Sequence, residues 1–177
     1  MKHSLSIVVL SISFALAATA QSAEQGFVKG PVFEEYGPAA PVESDLVIPE
    51  DMTLKVAFDI SEAAAEGEVN RRFESVARFI NMHAAAGIER ERIQPAIVVH
   101  GGGAEDLLKP AEGAIPPPTA RLIEALLDGG VPIYLCGQTA AAKGIEKEDL
   151  IPGVEMALSA MTAHAVLAGQ DYTLNPF

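Results

Sequence analysis

The stretch Gly129-Gly130-Val131-Pro132-Ile133-Tyr134-Leu135-Cys136-Gly137-Gln138-Thr139-Ala140-Ala141-Ala142-Lys143-Gly144-Ile145 decides the fold. The glycine pair closes a preceding helix. Val131 to Leu135 is too short for a helix and bounded by breakers, which predicts a buried strand. Gly137 ends it, and Thr139 is placed to cap a short helix over Ala140 to Lys143. Cys136, the only cysteine in the protein, then stands at the carboxyl end of a strand facing a helix amino terminus. Open α/β sheets bind ligands at that edge, and helix-terminal amides stabilise a thiolate. The competing reading is a small buried apolar residue, because free cysteine is among the most buried types.

Outward from that stretch, strands and helices alternate. Leu54 to Ile60 alternates apolar and polar and predicts a first strand. Val69, Phe73, Val76, Ala77, Ile80 and Ala84 recur at helical spacing, with Gly87 closing the helix. Ala96 to His100 predicts a second buried strand ending at Gly101-Gly102-Gly103. Ala104 to Lys109 can form a helical turn, and Pro110 to Pro118 is a proline-rich loop. Thr119 is placed to cap a helix carrying Leu122, Ile123, Leu126 and Leu127. Val154 to Leu158 predicts a fourth strand, Met161 to Leu167 a helix, and Tyr172 to Leu174 a short last strand. This order predicts a single α/β domain with a mostly parallel sheet flanked by helices on both faces.

The chain of 177 residues has a distinct beginning. Lys2 and His3 precede an apolar run from Leu5 to Ala18 that ends in Ala18-Thr19-Ala20, the pattern of a secretory signal peptide over residues 1–20, cleaved before Gln21. The run is too short for a membrane anchor, and the expected location is the periplasm. Residues 21–52, with Pro31, Pro38, Pro41 and Pro49, predict an extended lead segment able to dock through Phe27, Val32, Phe33 and Tyr36. The domain then occupies residues 53–177. A net charge of −12 argues against nucleic acid and against an anionic membrane surface as partners. A lone cysteine excludes an internal disulfide, CxxC redox chemistry and cysteine-rich zinc sites.

The candidate chemistry gathers at strand ends. Gly101-Gly102-Gly103 fits neither phosphate-loop pattern and reads instead as a close backbone approach or an anion nest. His100 and Cys136 end neighbouring strands, so the histidine can lower the thiol pKa and move protons, or simply cap its strand. Asp59 also ends a strand and would complete a hydrolase triad with them. His83 and His164 fall within helices without metal-ligand spacing; no metal and no cofactor is expected.

Phe58-Asp59-Ile60, Ala77 to His83, Val98-Val99-His100-Gly101, Leu135 to Ala141, Leu158 to His164 and Tyr172 to Phe177 stand in the order seen in exported DsrE/DsrF-like proteins. The chain resembles that family over roughly residues 54–177. The resemblance implies a compact α/β DsrE/F-like domain assembling as a homotrimer or homohexamer. In the family's sulfur-relay members one cysteine near a subunit boundary carries sulfur as a persulfide, a role that falls here on Cys136. By the same resemblance His100 and Gly101 form pocket wall, and Asn81 and Gln138 form polar lining. Two readings follow. In the first, Cys136 is a persulfide carrier exchanging sulfur with a donor or acceptor protein or a small sulfur compound. It would be assisted by His100 and by the amides of Gly137 and Gln138. In the second, the protein is a non-catalytic oligomeric module that binds a small ligand, and Cys136 is packing.

Overall fold

A computed structural model describes residues 26–175; the leader read at residues 1–20 lies outside them. Five strands, β1 (Leu54–Ile60), β2 (Ile93–Val99), β3 (Ile133–Cys136), β4 (Glu155–Ala157) and β5 (Thr173–Asn175), form one sheet in the order β4-β3-β2-β1-β5. Every pairing is parallel. The longest ladder aligns Leu54 with Ile93 through Ile60 with Val99. Four α-helices are present among the described residues: α1 (Arg71–Ala85), α2 (Pro118–Asp128), α3 (Gly137–Lys143) and α4 (Ala160–Gly169).

Strand alternation divides the core in two. Phe58, Ile60, Ile97, Val99, Ile133 and Leu135 point to one face, where Phe73, Val76 and Ile80 of α1 and Leu122, Ile123 and Leu126 of α2 cover them. The other face presents Ala57, Ala96 and Val98, small side chains against which α4 packs Ala163 and Leu167. Burial on both faces explains why β2 is apolar almost throughout instead of alternating.

Several element boundaries differ from the sequence expectation. Helix α2 starts at Pro118, whose ring suits a first helical turn that needs no donor there. Thr119 therefore caps nothing: its hydroxyl accepts from the Asn70 N–H at 2.9 Å and donates to the Glu68 carbonyl at 3.2 Å. Thr139 lies inside α3, and Cys136 holds the capping position. The turn after Gly101 is a 3-10 helix, Gly101–Leu107. Strand β4 is shorter than expected, and the last strand starts one residue later.

The lead segment lies on the domain. A two-way backbone bridge joins Val28 and Ala39, both bonds at 2.9 Å. Phe33 is buried against the α1–α2 layer. Gly37 has φ +60°, and a Cβ there would stand 2.2 Å from the Arg78 backbone nitrogen, so only glycine allows this approach. Further along, Arg92 donates to the carbonyls of Met52 and Pro49 at 3.0 and 2.6 Å. No helix among the described residues is long and apolar enough to cross a membrane.

Candidate active site at the carboxyl edge of the sheet

In a parallel sheet every carboxyl end opens on the same edge, and the chemistry-bearing residues collect there. Asp59 is the penultimate residue of β1, His100 follows β2 and Cys136 ends β3. Ser159, just past β4, caps α4 by accepting from the Thr162 N–H at 3.0 Å. Asp59, His100, Cys136, Gln138, Thr139 and His164 line a cavity of about 330 Å³, closed on the α4 side by Ser159, Ala160 and Met161.

Asp59 bridges two imidazoles. Its Oδ2 lies 3.0 Å from His100 Nε2 and its Oδ1 2.7 Å from His164 Nε2. Partial burial pushes the Asp59 carboxyl up, but the hydrogen bonds and charge of His164 and His100 outweigh it and leave it below its ordinary value. The carboxylate is thus ionised and committed to both rings. His164 lies within a helix without metal-ligand spacing in the sequence, and α4 brings it to Asp59. Among the described residues, no three His, Cys, Asp or Glu side chains converge on a metal-sized site.

Cys136 is only 7 % exposed. Burial alone would raise its thiol pKa, but hydrogen bonds reverse the shift: the Thr139 amide and hydroxyl, then the Ala160 and Gln138 amides, hold it below the ordinary thiol value. These donors come from the first turns of two helices, α3 and α4, so the sulfur sits where two sets of unpaired amides meet. Thr139 Oγ1 in turn accepts from the Gly101 N–H at 3.1 Å.

Gly101 therefore acts on the sulfur through Thr139, and its φ of +54° explains the glycine. Gly137 is needed for contact: a Cβ there would lie 2.5 Å from the Ala157 carbonyl oxygen. Gln138 lines the cavity and donates from Nε2 to the Leu158 carbonyl at 3.2 Å, tying α3 to the end of β4.

Asn81 is not at this site, which corrects the expectation that it lines the pocket. It is fully buried in α1. Its Oδ1 accepts from the amides of Val32 and Phe33 at 3.1 and 2.9 Å, and its Nδ2 lies within 3.1 Å of the carbonyls of Phe33, Tyr36 and Gly37. The polar group on the buried helix face answers the backbone of the lead segment, not a ligand. The signal was its spacing: Asn81 follows Ala77 by one helical turn on the apolar face.

A larger cleft of about 920 Å³ lies near the amino ends of the strands, among Arg90, Gln94, Pro132 and Tyr172. The Arg90 guanidinium there is already bonded to the Ile93 and Gly129 carbonyls.

Among solved structures, the chain is similar to a protein of unknown function, MTH1491, from Methanobacterium thermoautotrophicum. Identity is 18%, the TM-score is 0.49, and the match covers 69% of this chain and 97% of that one. It is likewise similar to the ychN protein from E. coli, at 18% identity and a TM-score of 0.48, with coverage of 69% and 97%. No curated protein matches. The DsrE/DsrF-like family matches residues 55–176, from the second residue of β1 through β5, and the chain belongs to that family.

Proposed function

We propose that this protein is an exported sulfur carrier that holds sulfane sulfur as a persulfide on Cys136. The observation that carries the reading is the set of donors around the sulfur. The amides of Thr139, Ala160 and Gln138 and the Thr139 hydroxyl favour the thiolate over the thiol, and the thiolate is the nucleophile in sulfur exchange. Purely structural burial would push the thiol the other way. Membership of the DsrE/DsrF-like family, which includes sulfur-relay proteins, supports the same reading. The leader at residues 1–20 supports export to the periplasm.

The test is intact mass after incubation with polysulfide, beside Cys136→Ser. The expected result is a gain of one sulfur, about 32 Da, reversed by reductant and absent in the variant. A protein that gains no mass, with a thiol that alkylates only after unfolding, would overturn the reading. The low exposure of Cys136 favours the second reading, a non-catalytic ligand-binding module, and a thiol pKa at or above about 8.5 would select it.

We also propose assembly as a homotrimer or homohexamer. Leu158 just before α4, and Met161 and Val166 along it, are apolar and exposed, and exposed apolar patches commonly mark subunit contacts. Light scattering on the native protein distinguishes a monomer from three or six copies.

A further inference from the structure

Asp59 uses both carboxylate oxygens on histidine, Oδ2 with His100 Nε2 and Oδ1 with His164 Nε2. An ionised carboxylate accepts and cannot donate. Each ring must therefore carry its hydrogen on Nε2, and each neutral ring keeps a bare lone pair on Nδ1. Neither Nδ1 has a hydrogen-bond partner among the described residues. The rings arrive from separate elements, one from the loop after β2 and one from α4, yet both line the cavity that contains Cys136. Here one carboxylate orients two imidazoles that line the same cavity as the thiol.

We propose that His164 and His100 are paired proton-handling groups for the sulfur chemistry of Cys136, and that Asp59 is the positioning residue that holds both in the Nε2–H tautomer. The proposal rests on the sulfur-carrier reading for its reacting atoms. The substrate class is a low-molecular-weight persulfide, R–S–SH. Cys136 gives its proton to an Nδ1, and the thiolate attacks the outer sulfur of the donor. The Cys136 Sγ–S bond forms as the donor S–S bond breaks. The leaving R–S⁻ takes the proton from the imidazolium. The donor is reduced to R–SH as Cys136 is oxidised to Cys136–S–SH, and no external oxidant enters. Asp59 does for each ring what an orienting carboxylate does in a catalytic triad, fixing tautomer and direction.

The test has two arms on the full chain. Long-range nitrogen–proton NMR of labelled histidine, at a mildly alkaline pH where imidazoles are neutral, reads the tautomers directly. Nε2–H is expected on both rings. In Asp59→Asn the amide can accept from one ring but must donate to the other, so one ring and only one is expected to change tautomer. The second arm compares single-turnover sulfur uptake from cysteine persulfide with iodoacetamide alkylation in His164→Gln and His100→Gln. Iodide leaves without a proton, so the ratio of the two rates isolates proton delivery. General acid–base catalysis contributes about 10²–10⁴-fold; with one ring left, uptake is expected to fall about tenfold while alkylation changes far less. Nδ1–H on either ring of the wild type, or uptake at the wild-type rate in both glutamine variants, would overturn the proposal. A wild type that takes up no sulfur overturns the carrier reading and the shuttle together. Normal wild-type uptake with unaffected variants overturns the shuttle alone.

Discussion

The Gly101 amide donates to Thr139 Oγ1 at 3.1 Å, which joins the loop after β2 to the helix after β3. The same hydroxyl accepts from that amide and donates its own hydrogen to the Cys136 sulfur. Thr139→Val keeps the shape and removes that donor. A hydrogen bond to a charged group is worth about 1.5–3 kcal/mol, and sulfur is a weak acceptor. The thiol pKa is expected to rise, and alkylation near neutral pH to slow about tenfold. The pH profile of iodoacetamide labelling checks this; an unchanged profile would show that the amides alone set the thiol.

Gly137→Ala places a methyl group 2.5 Å from the Ala157 carbonyl oxygen and 3.1 Å from that of Leu158. Neither backbone can yield without moving β4 away from β3. The expected cost is about 2–3 kcal/mol, read as a lower urea midpoint. Thiol reactivity should change with it, since Cys136 precedes the displaced residue. Wild-type stability in this variant would mean that the β3–β4 edge is soft.

Asn81→Ala removes the acceptor of two amides and the donor to nearby carbonyls in a fully buried place. Leaving such groups unmet costs about 1–3 kcal/mol each before relaxation, and a net loss of about 3 kcal/mol is expected. Limited proteolysis should then cut between residues 26 and 52 first. Cys136 alkylation should stay at the wild-type rate, because no Asn81 atom reaches that cavity.

Two carboxylates give opposite pH signatures. Asp59 titrates below its ordinary value of 3.8, its burial outweighed by His164 and His100. Its contribution to stability is therefore present above that value and lost as pH falls through the lower folded one. Asp106 is pushed up, mainly by burial, although Asn70 Nδ2 and the Ala64 amide donate to it. Its contribution is present below the ordinary carboxylate value and lost as pH rises through the raised one. Urea midpoints from neutrality to about pH 3 should show a shallower acid loss in Asp59→Ala. Asp106→Asn should lose the decline that accompanies Asp106 ionisation. Curves parallel to wild type in both variants would contradict these assignments.

Much of the site was legible because a parallel sheet makes strand ends meet. His100 and Cys136 close apolar runs and Asp59 stands next to the end of an alternating one, so reading the strands also located the edge. His164 was not legible. Helix α4 is apolar nearly all round, Ala160 to Gly169, so its periodicity does not say which side faces the sheet. Its bond to Asp59 spans 105 residues, which no local pattern encodes. Thr139 and Thr119 depart from the capping expectation for a shared reason. A threonine near a helix start satisfies the capping preference on paper, but Cys136 and Pro117 hold those places, and both hydroxyls bond across to other elements. The family resemblance implies that Asn81 lines the pocket; its partners are instead backbone groups of a lead segment with no periodicity to announce it.

The clamp on the lead segment has a consequence for how this module is delimited. The family match begins at residue 55, yet Phe33 packs against Gly129 at the end of α2, and Asn81 answers backbone groups before residue 38. A fragment cut at the family boundary would open a notch between α1 and α2 and leave the Asn81 amide with nothing but water to meet. What relatives share by descent and what this chain folds as a unit therefore have different edges. The extra stretch acts as a splint on the face opposite α4, bracing α1 and α2 without entering the cavity that holds Cys136.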